Sequence, residues 1–296
     1  MITKHARLFC FCVATLIIAL PGALAQRQLG RKVGPTSKLY IAETKGDTQI
    51  QSVNKIFTAR QATAFDAPGT VIETKENAHN AFVYSNGTGV FIDENTRLEI
   101  ARFMQEPFVL ERNAMVDAIS EPSLSQSDVF VSHGAVGVCT SLLVSGSSMN
   151  YGTPQGAVTI RGGKVSLETN ANETIVDLLE GDITVRGGGM DSGGQLLRPG
   201  ERAIIRSGSV GQPSRISISP TPRELLAVLD ERVSIACNAK KTVSFEVIRK
   251  KAIAGLNDNG ADGDEDEEDL EIQARPTVPL RLPYNVVISP QWLAGG

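Results

Sequence analysis

The sequence is poor in the residues from which metal sites and ligand pockets are built. Of its 296 residues, 5% are aromatic, four are cysteines and three are histidines. The histidines His79 and His133 are far apart in the sequence, whereas a transition-metal site needs clustered ligands. A small-molecule cavity is lined mostly by hydrophobic and aromatic side chains. The composition therefore argues against a catalytic metal, a cofactor and a small-molecule enzyme.

Long apolar runs are missing after residue 25. Before it, Lys4 and Arg7 precede an apolar run from Leu8 to Leu20, and the small residues Ala23 and Ala25 follow. This order is typical of a secretory signal peptide, and the run is shorter than the roughly 20 residues that span a bilayer. We expect residues 1–25 to be removed and the mature chain not to insert into a membrane. The expected location is the periplasm or the exterior of a Gram-negative-type bacterium.

The chain also lacks the basic stripe that a nucleic-acid partner requires. Its formal net charge is −4, and nine of its 33 acidic residues lie between Asp258 and Glu271. Such a segment repels itself and has little to bury, which predicts a disordered acidic linker over residues 257–273. Aspartates can bind calcium, but the twelfth position counted from Asp258 is Asp269 rather than glutamate. An acidic linker is therefore favoured over a weak calcium site.

Alternation of apolar and polar residues dominates residues 38–218. Two blocks of short strands flank residues 104–126, where prolines predict a connection over the surface. Asn86-Gly87 stands between two alternating runs and predicts a β-hairpin. We predict an all-β fold with an aliphatic interior, either an antiparallel β-sandwich or a jelly-roll or solenoid-like arrangement.

The remaining segments flank this β domain. Residues 26–37 are predicted to be a mobile lead-in. Thr221-Pro222-Arg223-Glu224 has the features of a helix start, with Thr221 as the cap. It begins a helical appendage over 219–256 that we expect to pack on an end or edge of the β domain, although residues 242–248 fit a strand equally well. Residues 274–296 form a proline-rich tail that is predicted to be extended.

Cys139 and Cys237 are the two cysteines beyond the predicted signal peptide. In an oxidising compartment, two cysteines favour a disulfide. A bridge that closes a loop of about 100 residues would contribute up to roughly 4.7 kcal/mol in the chain-entropy model. The alternative is that both are small buried apolar side chains, and the sequence does not decide between the two.

Four short motifs follow one another between residues 153 and 203. They read TPQG at 153–156, IRG at 160–162, LEGDITV at 179–185 and LRPGERA at 197–203. In this order and spacing they resemble the FecR domain of bacterial periplasmic regulators, and with the preceding strands the likeness covers about residues 38–207. The motif residues, interpreted as structural, are Thr153, Pro154, Gly156, Arg161, Gly162, Glu180, Gly181, Pro199, Gly200 and Glu201.

This resemblance implies an exported all-β domain. In the family, such domains receive a signal from an outer-membrane receptor and pass it to a regulator of transcription. We expect this chain to lack the family's membrane-crossing and cytoplasmic parts, and it has Gly163 where the family usually has Thr in a turn after Arg-Gly. We therefore expect a non-enzymatic protein-binding or structural module of the cell envelope with a role in signal sensing. Its expected contact surfaces for another envelope protein are strand edges and the tail.

Two other classes of function stay open. A carbohydrate or surface-layer binding protein would present aromatic side chains on one sheet face, and Phe82, Tyr84 and Tyr151 are the candidates. A polysaccharide-acting envelope enzyme would need converging carboxylates. Four acids alternate with apolar residues, which predicts an ordinary solvated strand face instead: Glu168, Asp177, Glu180 and Asp182.

Overall fold

Strands make up most of the described part of the chain. The computed structural model describes residues 37–52, 55–108, 119–188, 191, 193–208, 214–249 and 270–277. The predicted signal peptide lies outside these residues, as do nearly all of the lead-in and most of the acidic linker and tail. The strands are β1 (Lys38–Lys45), β2 (Thr48–Ser52), β3 (Lys55–Thr58), β4 (Ala64–Asp66), β5 (Thr70–Thr74), β6 (His79–Tyr84), β7 (Gly89–Ile92), β8 (Arg97–Gln105), β9 (Ser125–Thr140), β10 (Ser148–Gly152), β11 (Ala157–Thr169), β12 (Glu173–Arg186), β13 (Gln195–Leu197), β14 (Glu201–Arg206), β15 (Arg215–Pro220), β16 (Val243–Arg249) and β17 (Leu270–Pro276), and the helix is α1 (Leu226–Lys240).

The strands β1 to β15 form one hydrogen-bonded sheet that folds over into two layers. One layer runs β3-β2-β5-β8 and continues through the first half of β9, β10, the first half of β11 and the second half of β12 to β13. The other runs β4-β1-β6-β7 and continues through the opposite halves of β9, β11 and β12 to β14 and β15. The predicted all-β fold is confirmed, and of the arrangements that the sequence left open the structure has the sandwich.

The long strands pass from one layer to the other at glycines. In β11 and β12, Gly163 pairs with Gly181 where the register shifts, and both have positive φ angles, 115° and 105°. A Cβ on Gly163 would lie 1.9 Å from the Glu180 carbonyl oxygen, so only glycine fits. Gly163 therefore lies in a strand bulge rather than in the predicted turn, and the threonine of the resembling family could not occupy this backbone.

One strand pair departs from the predicted antiparallel arrangement. Strands β9 and β10 are parallel, with Asp128 opposite Asn150. The Asn150 side chain donates a hydrogen bond of 3.0 Å to Asp128 and accepts one of 2.9 Å from Thr159 on β11. Arg102 on β8 pairs with the other side of Asp128 at 2.7 Å. This polar ladder links four neighbouring strands across the outer face of the layer.

The core lies between the two layers. Tyr84 of β6 stacks on Phe103 of β8 with ring centroids 4.6 Å apart, which joins the inner faces of opposite layers. Most core residues are aliphatic, but Phe82 and Tyr151 are also fully buried. The prediction of an aliphatic interior is wrong in this respect, because the few aromatic residues are concentrated inside rather than on the surface.

The helix starts without the predicted side-chain cap. A 3-10 turn over Arg223–Leu225 precedes α1, and no side chain caps either segment. The Thr221 hydroxyl instead donates a hydrogen bond of 3.0 Å to Asp177 on β12. No helix in the described ranges is long and apolar enough to cross a membrane.

The helix α1 packs on a sheet face, not on the predicted end or edge. Val233 and Ala236 belong to a second buried cluster with residues of β1, β6 and β7. Gly89 on β7 and Gly137 on β9 allow the close approach, because a Cβ on them would lie 2.0 Å from the Ala236 carbonyl oxygen and 2.7 Å from that of Arg232, respectively. The helix thus lies directly on the strand backbones and covers the outer face of the layer that contains β1, β6 and β7.

The ambiguous segment over residues 242–248 forms strand β16. It pairs antiparallel with β17, so that Phe245 stands opposite Ala274. Phe245 and Ile272 are buried in the same cluster as the helix. Strand β17 begins at Leu270, inside the segment predicted as disordered linker, and Ala274 packs against the cluster that contains Ile272.

Candidate functional site

The first FecR-like motif forms the turn between β10 and β11. The Thr153 backbone N–H donates to the Gly156 carbonyl oxygen at 2.8 Å, and the Gly156 N–H donates to the Thr153 hydroxyl at 3.2 Å. The Thr174 hydroxyl of β12 donates to the same Thr153 oxygen at 2.8 Å. The Gln155 side chain is buried within this network, whereas Pro154 is exposed at the turn. These residues close one end of the sandwich.

The last motif forms the turn between β13 and β14. The Arg198 N–H donates to the Glu201 carboxylate at 2.8 Å, and the Glu201 N–H donates to the Arg198 carbonyl oxygen at 3.0 Å. Between them, Pro199 and Gly200 make the corner, where Gly200 has a φ of 84°. The Gly200 N–H then donates to the Leu178 carbonyl oxygen at 2.7 Å, which ties the turn to β12.

The middle motifs meet at the bulge. Gly181 of β12 lies against the Gly162 backbone of β11, so the structure brings these two motif glycines together. Arg161 and Glu180 are exposed beside them, and the Glu180 carboxylate pairs with Lys164 at 2.7 Å. The motif residues therefore lie in separate turns and bends and do not form a common binding site.

The two cysteines left open by the sequence are joined. The Cys139 and Cys237 sulfurs are 2.07 Å apart, and their Cα atoms are 5.1 Å apart. The bridge links β9 to the last turn of α1 within the second buried cluster. It therefore fixes the helix to the sheet face that it covers.

The described residues offer no metal site. In these ranges, no three His, Cys, Asp or Glu side chains come close enough to bind one ion. His79 lies 3.2 Å from the Glu43 carboxylate, and His133 contacts Ser132 at 3.2 Å. The acidic segment proposed as a weak calcium ligand lies mostly outside the described residues, so that alternative stays a prediction.

The prediction of a solvated acidic strand face is wrong for Asp177. Its side chain is 3% exposed and takes two hydrogen bonds of 2.8 Å from the Arg202 guanidinium on β14. A third hydrogen bond comes from Thr221. The bond to Asp177 raises the pKa of Arg202 above its usual value. Both carboxylate oxygens are thus engaged within the fold, which makes Asp177 a structural residue.

A second buried acid, Glu121, lies in the segment predicted to cross the surface. One carboxylate oxygen accepts hydrogen bonds from Ser125 at 2.5 Å and Asn86 at 3.3 Å, and the other accepts one from the Val144 N–H at 2.9 Å. Burial raises the pKa of this carboxyl, and the hydrogen bonds, including one with Ser147, oppose that shift. The prolines and polar residues of the segment gave no signal for this burial.

The contribution of Glu121 to the stability of the protein should fall as pH rises through its titration. Because burial raises its folded pKa, the folded state keeps a proton that the unfolded chain loses above about pH 4. Urea unfolding between about pH 4 and pH 8 should therefore show wild type losing free energy of unfolding relative to Glu121→Gln. The exposed Glu180→Gln is the control. A constant difference between wild type and Glu121→Gln would contradict this prediction.

The aromatic candidates for a carbohydrate site are inside the protein. Phe82, Tyr84 and Tyr151 are fully buried, and none of them presents a ring to solvent. Phe130 on β9 has an exposed ring, but the nearby polar side chains of Asp128 and Asn150 are hydrogen-bonded to each other. These observations weigh against the carbohydrate-binding alternative.

At one end of the sandwich, β3 and β4 are the outermost strands. All four residues of β3 are exposed, and Ile56 is 70% and Phe57 38% exposed. Phe57 pairs with the core residue Ile50 of β2, so its ring lies on the inner face. It packs edge-to-face on Phe65 of β4, with centroids 5.7 Å apart. Two aromatic rings thus form the uncovered rim of the core.

A concave pocket of about 290 Å³ adjoins this rim and is lined by Phe57, Thr58, Arg60 and Thr63. The volume is at the lower limit of cavities that hold a small-molecule ligand. The Thr63 hydroxyl donates to the Arg60 carbonyl oxygen at 2.6 Å, which shapes the loop between β3 and β4. We call β3 together with this pocket the rim site. Its size and exposure suit one side chain of an extended segment.

Comparisons with known proteins found distant similarity in structure alone. No family model and no curated protein matches the chain. Two structures of a proposed anti-sigma factor from Parabacteroides distasonis ATCC 8503, at 2.50 and 1.65 Å resolution, match with TM-scores of 0.38 and 0.37 and 14% identity. The match covers 53% of this chain, which spans 62% of the length of those chains. At this TM-score the similarity carries no argument about activity.

Proposed function

We propose that this chain is an exported, non-enzymatic module that binds another protein of the cell envelope through an exposed strand edge. The observation that carries the proposal is the open end of the sandwich, where β3 leaves Ile56 and Phe57 in solvent. An exposed apolar strand edge is a template for pairing with another chain, and proteins usually blunt such edges unless they use them.

The acids of the fold support binding rather than catalysis. Asp177 is held by Arg202 and Thr221, and Glu121 is enclosed by hydrogen bonds from its neighbours. A glycosidase would instead need two carboxyl groups that converge on a substrate groove. The FecR-like order of the motifs supports a role in envelope signalling, in which the partner would supply or receive the signal.

The test is cross-linking in the envelope of a producing cell. The full chain carries a photo-reactive phenylalanine derivative in place of Phe57, and a control carries it in place of Leu196, which is 62% exposed on β13. We expect one protein to be cross-linked in a stoichiometric amount from position 57 and not from position 196. Equal labelling from both positions, a co-purified glycan without protein, or turnover of polysaccharide would each count against the proposal.

A further inference from the structure

We infer that the rim site binds an extended segment of the partner that carries both apolar and acidic side chains. This inference rests on the proposed function and identifies the edge, the backbone atoms and the chemistry of the segment. It follows from the direction of the free backbone groups of β3, from the charges around Phe57 and from a comparison with the opposite edge.

The hydrogen-bonding pattern identifies the free groups of β3. The Ala59 N–H donates to the Thr48 carbonyl oxygen at 2.8 Å, one position beyond the pair of Thr58 with Gln49. In an antiparallel pair, the backbone N–H and C=O groups of successive residues point alternately toward the partner strand and away from it. The backbone groups of Phe57 therefore point toward β2, and those of Ile56 and Thr58 point away from it. A strand added here would find two donors and two acceptors.

The side chains of β3 indicate what the added strand would carry. Its inward-facing residues would continue the core over the rings of Phe57 and Phe65, which requires apolar side chains. Lys55 lies on the same face of β3 as Phe57, because side chains two residues apart share a face, and both Lys55 and Arg60 are exposed. Among the ion pairs of the described residues, neither of these two cations has a carboxylate partner. Acidic side chains of the segment would complement them.

The opposite edge of the sandwich is less suited to strand addition. The Thr221 N–H donates to the Gly200 carbonyl oxygen of the neighbouring chain segment at 2.9 Å. Because backbone groups alternate in direction along a strand, those of Ile218 and Pro220 on β15 point away from β14. Pro220 has no N–H to offer, and proline on an edge is a common guard against pairing. The described residues of β3 include no proline. The free edge of β3 is therefore the more receptive of the two.

The test begins with a library of random eight-residue peptides selected on the mature, disulfide-bonded chain. We expect enriched peptides to combine apolar and acidic residues, and fluorescence anisotropy gives their Kd. Ile56→Pro removes one N–H that points away from β2, and an edge strand tolerates proline at such a position. The substitution should weaken peptide binding about ten-fold or more. Ile56→Thr keeps the N–H and should bind within about three-fold of wild type. Ile218→Pro, the matched change on β15, should leave the Kd unchanged.

A charge reversal provides an independent readout if Ile56→Pro does not fold. Arg60→Glu changes an exposed residue and should weaken the binding of acidic peptides about five-fold or more at low salt. The effect should be smaller at high salt. Amide exchange should slow at Ile56 and Thr58 when peptide is added.

Several outcomes would overturn the inference. They are equal Kd values for Ile56→Pro and Ile56→Thr, enrichment of basic peptides, or no enrichment at all. Loss of binding in Ile218→Pro alone would move the contact to β15 and leave the proposed function intact. A dimer of this chain that Ile56→Pro converts to monomer would show that a second copy occupies β3. Absence of any cross-linked protein in the envelope would instead remove the proposed function itself.

Discussion

Removing the disulfide between Cys139 and Cys237 should lower the free energy of unfolding by about 3–5 kcal/mol. The two cysteines are 98 residues apart, so the bridge closes a long loop in the unfolded chain. In the chain-entropy model a loop of about 100 residues corresponds to roughly 4.7 kcal/mol. Urea unfolding of the double variant Cys139→Ala, Cys237→Ala, compared with wild type, measures the difference.

Reductant provides the matched control for this prediction. It should reduce the stability of wild type to that of the double variant and leave the double variant unchanged. Because the bridge fixes α1 to β9, we also expect amides of the helix to exchange faster, with only contacts such as those of Val233 and Ala236 remaining. A loss below about 1 kcal/mol would contradict the expectation.

The parts of the fold that could be predicted are those specified locally. Alternation gave the all-β class because each strand buries one face. Asn86-Gly87 indicated the hairpin of β6 and β7 because Gly87 has a φ of 83°, which favours glycine, and its N–H donates to the Tyr84 carbonyl oxygen at 2.8 Å. These signals lie within a few residues of the structure that they determine.

The burial of Asp177 and Glu121 could not be predicted because most of their partners are distant in sequence. Asp177 is 25 residues from Arg202 and 44 from Thr221. Glu121 is 35 residues from Asn86. A carboxylate between apolar residues has the same local pattern whether it faces water or a guanidinium on the next strand, so the pattern favoured solvent.

The rim site was only partly visible in the sequence. Exposed strand edges were predicted as contact surfaces, but the sequence does not indicate that β3 ends at Thr58 and that β4 starts only at Ala64. Which strand becomes outermost depends on the pairing order of the whole sheet, including the parallel β9 and β10. That order is fixed by long-range contacts.

Breaking the buried ion pair between Asp177 and Arg202 should be the second change with a large effect on the free energy of unfolding. Asp177→Ala leaves the Arg202 guanidinium, whose side chain is 13% exposed, without its carboxylate. Removing one partner of a buried pair costs about 3–5 kcal/mol because the other charge stays buried and uncompensated. The exposed pair of Glu180 and Lys164 is the control, and Glu180→Ala should cost less than about 1 kcal/mol. Urea unfolding of each variant measures both values.

Replacing both partners distinguishes the cost of an orphaned charge from a contribution of the pair itself. In Asp177→Leu, Arg202→Met, no buried charge is left, so most of the loss seen in Asp177→Ala should be recovered. The remaining difference from wild type would include the hydrogen bond that Thr221 donates to Asp177, which ties the start of the helical segment to β12. If the double variant is as unstable as Asp177→Ala, the hydrogen bonds of the carboxylate stabilise the fold in their own right, and the orphaned-charge explanation is wrong.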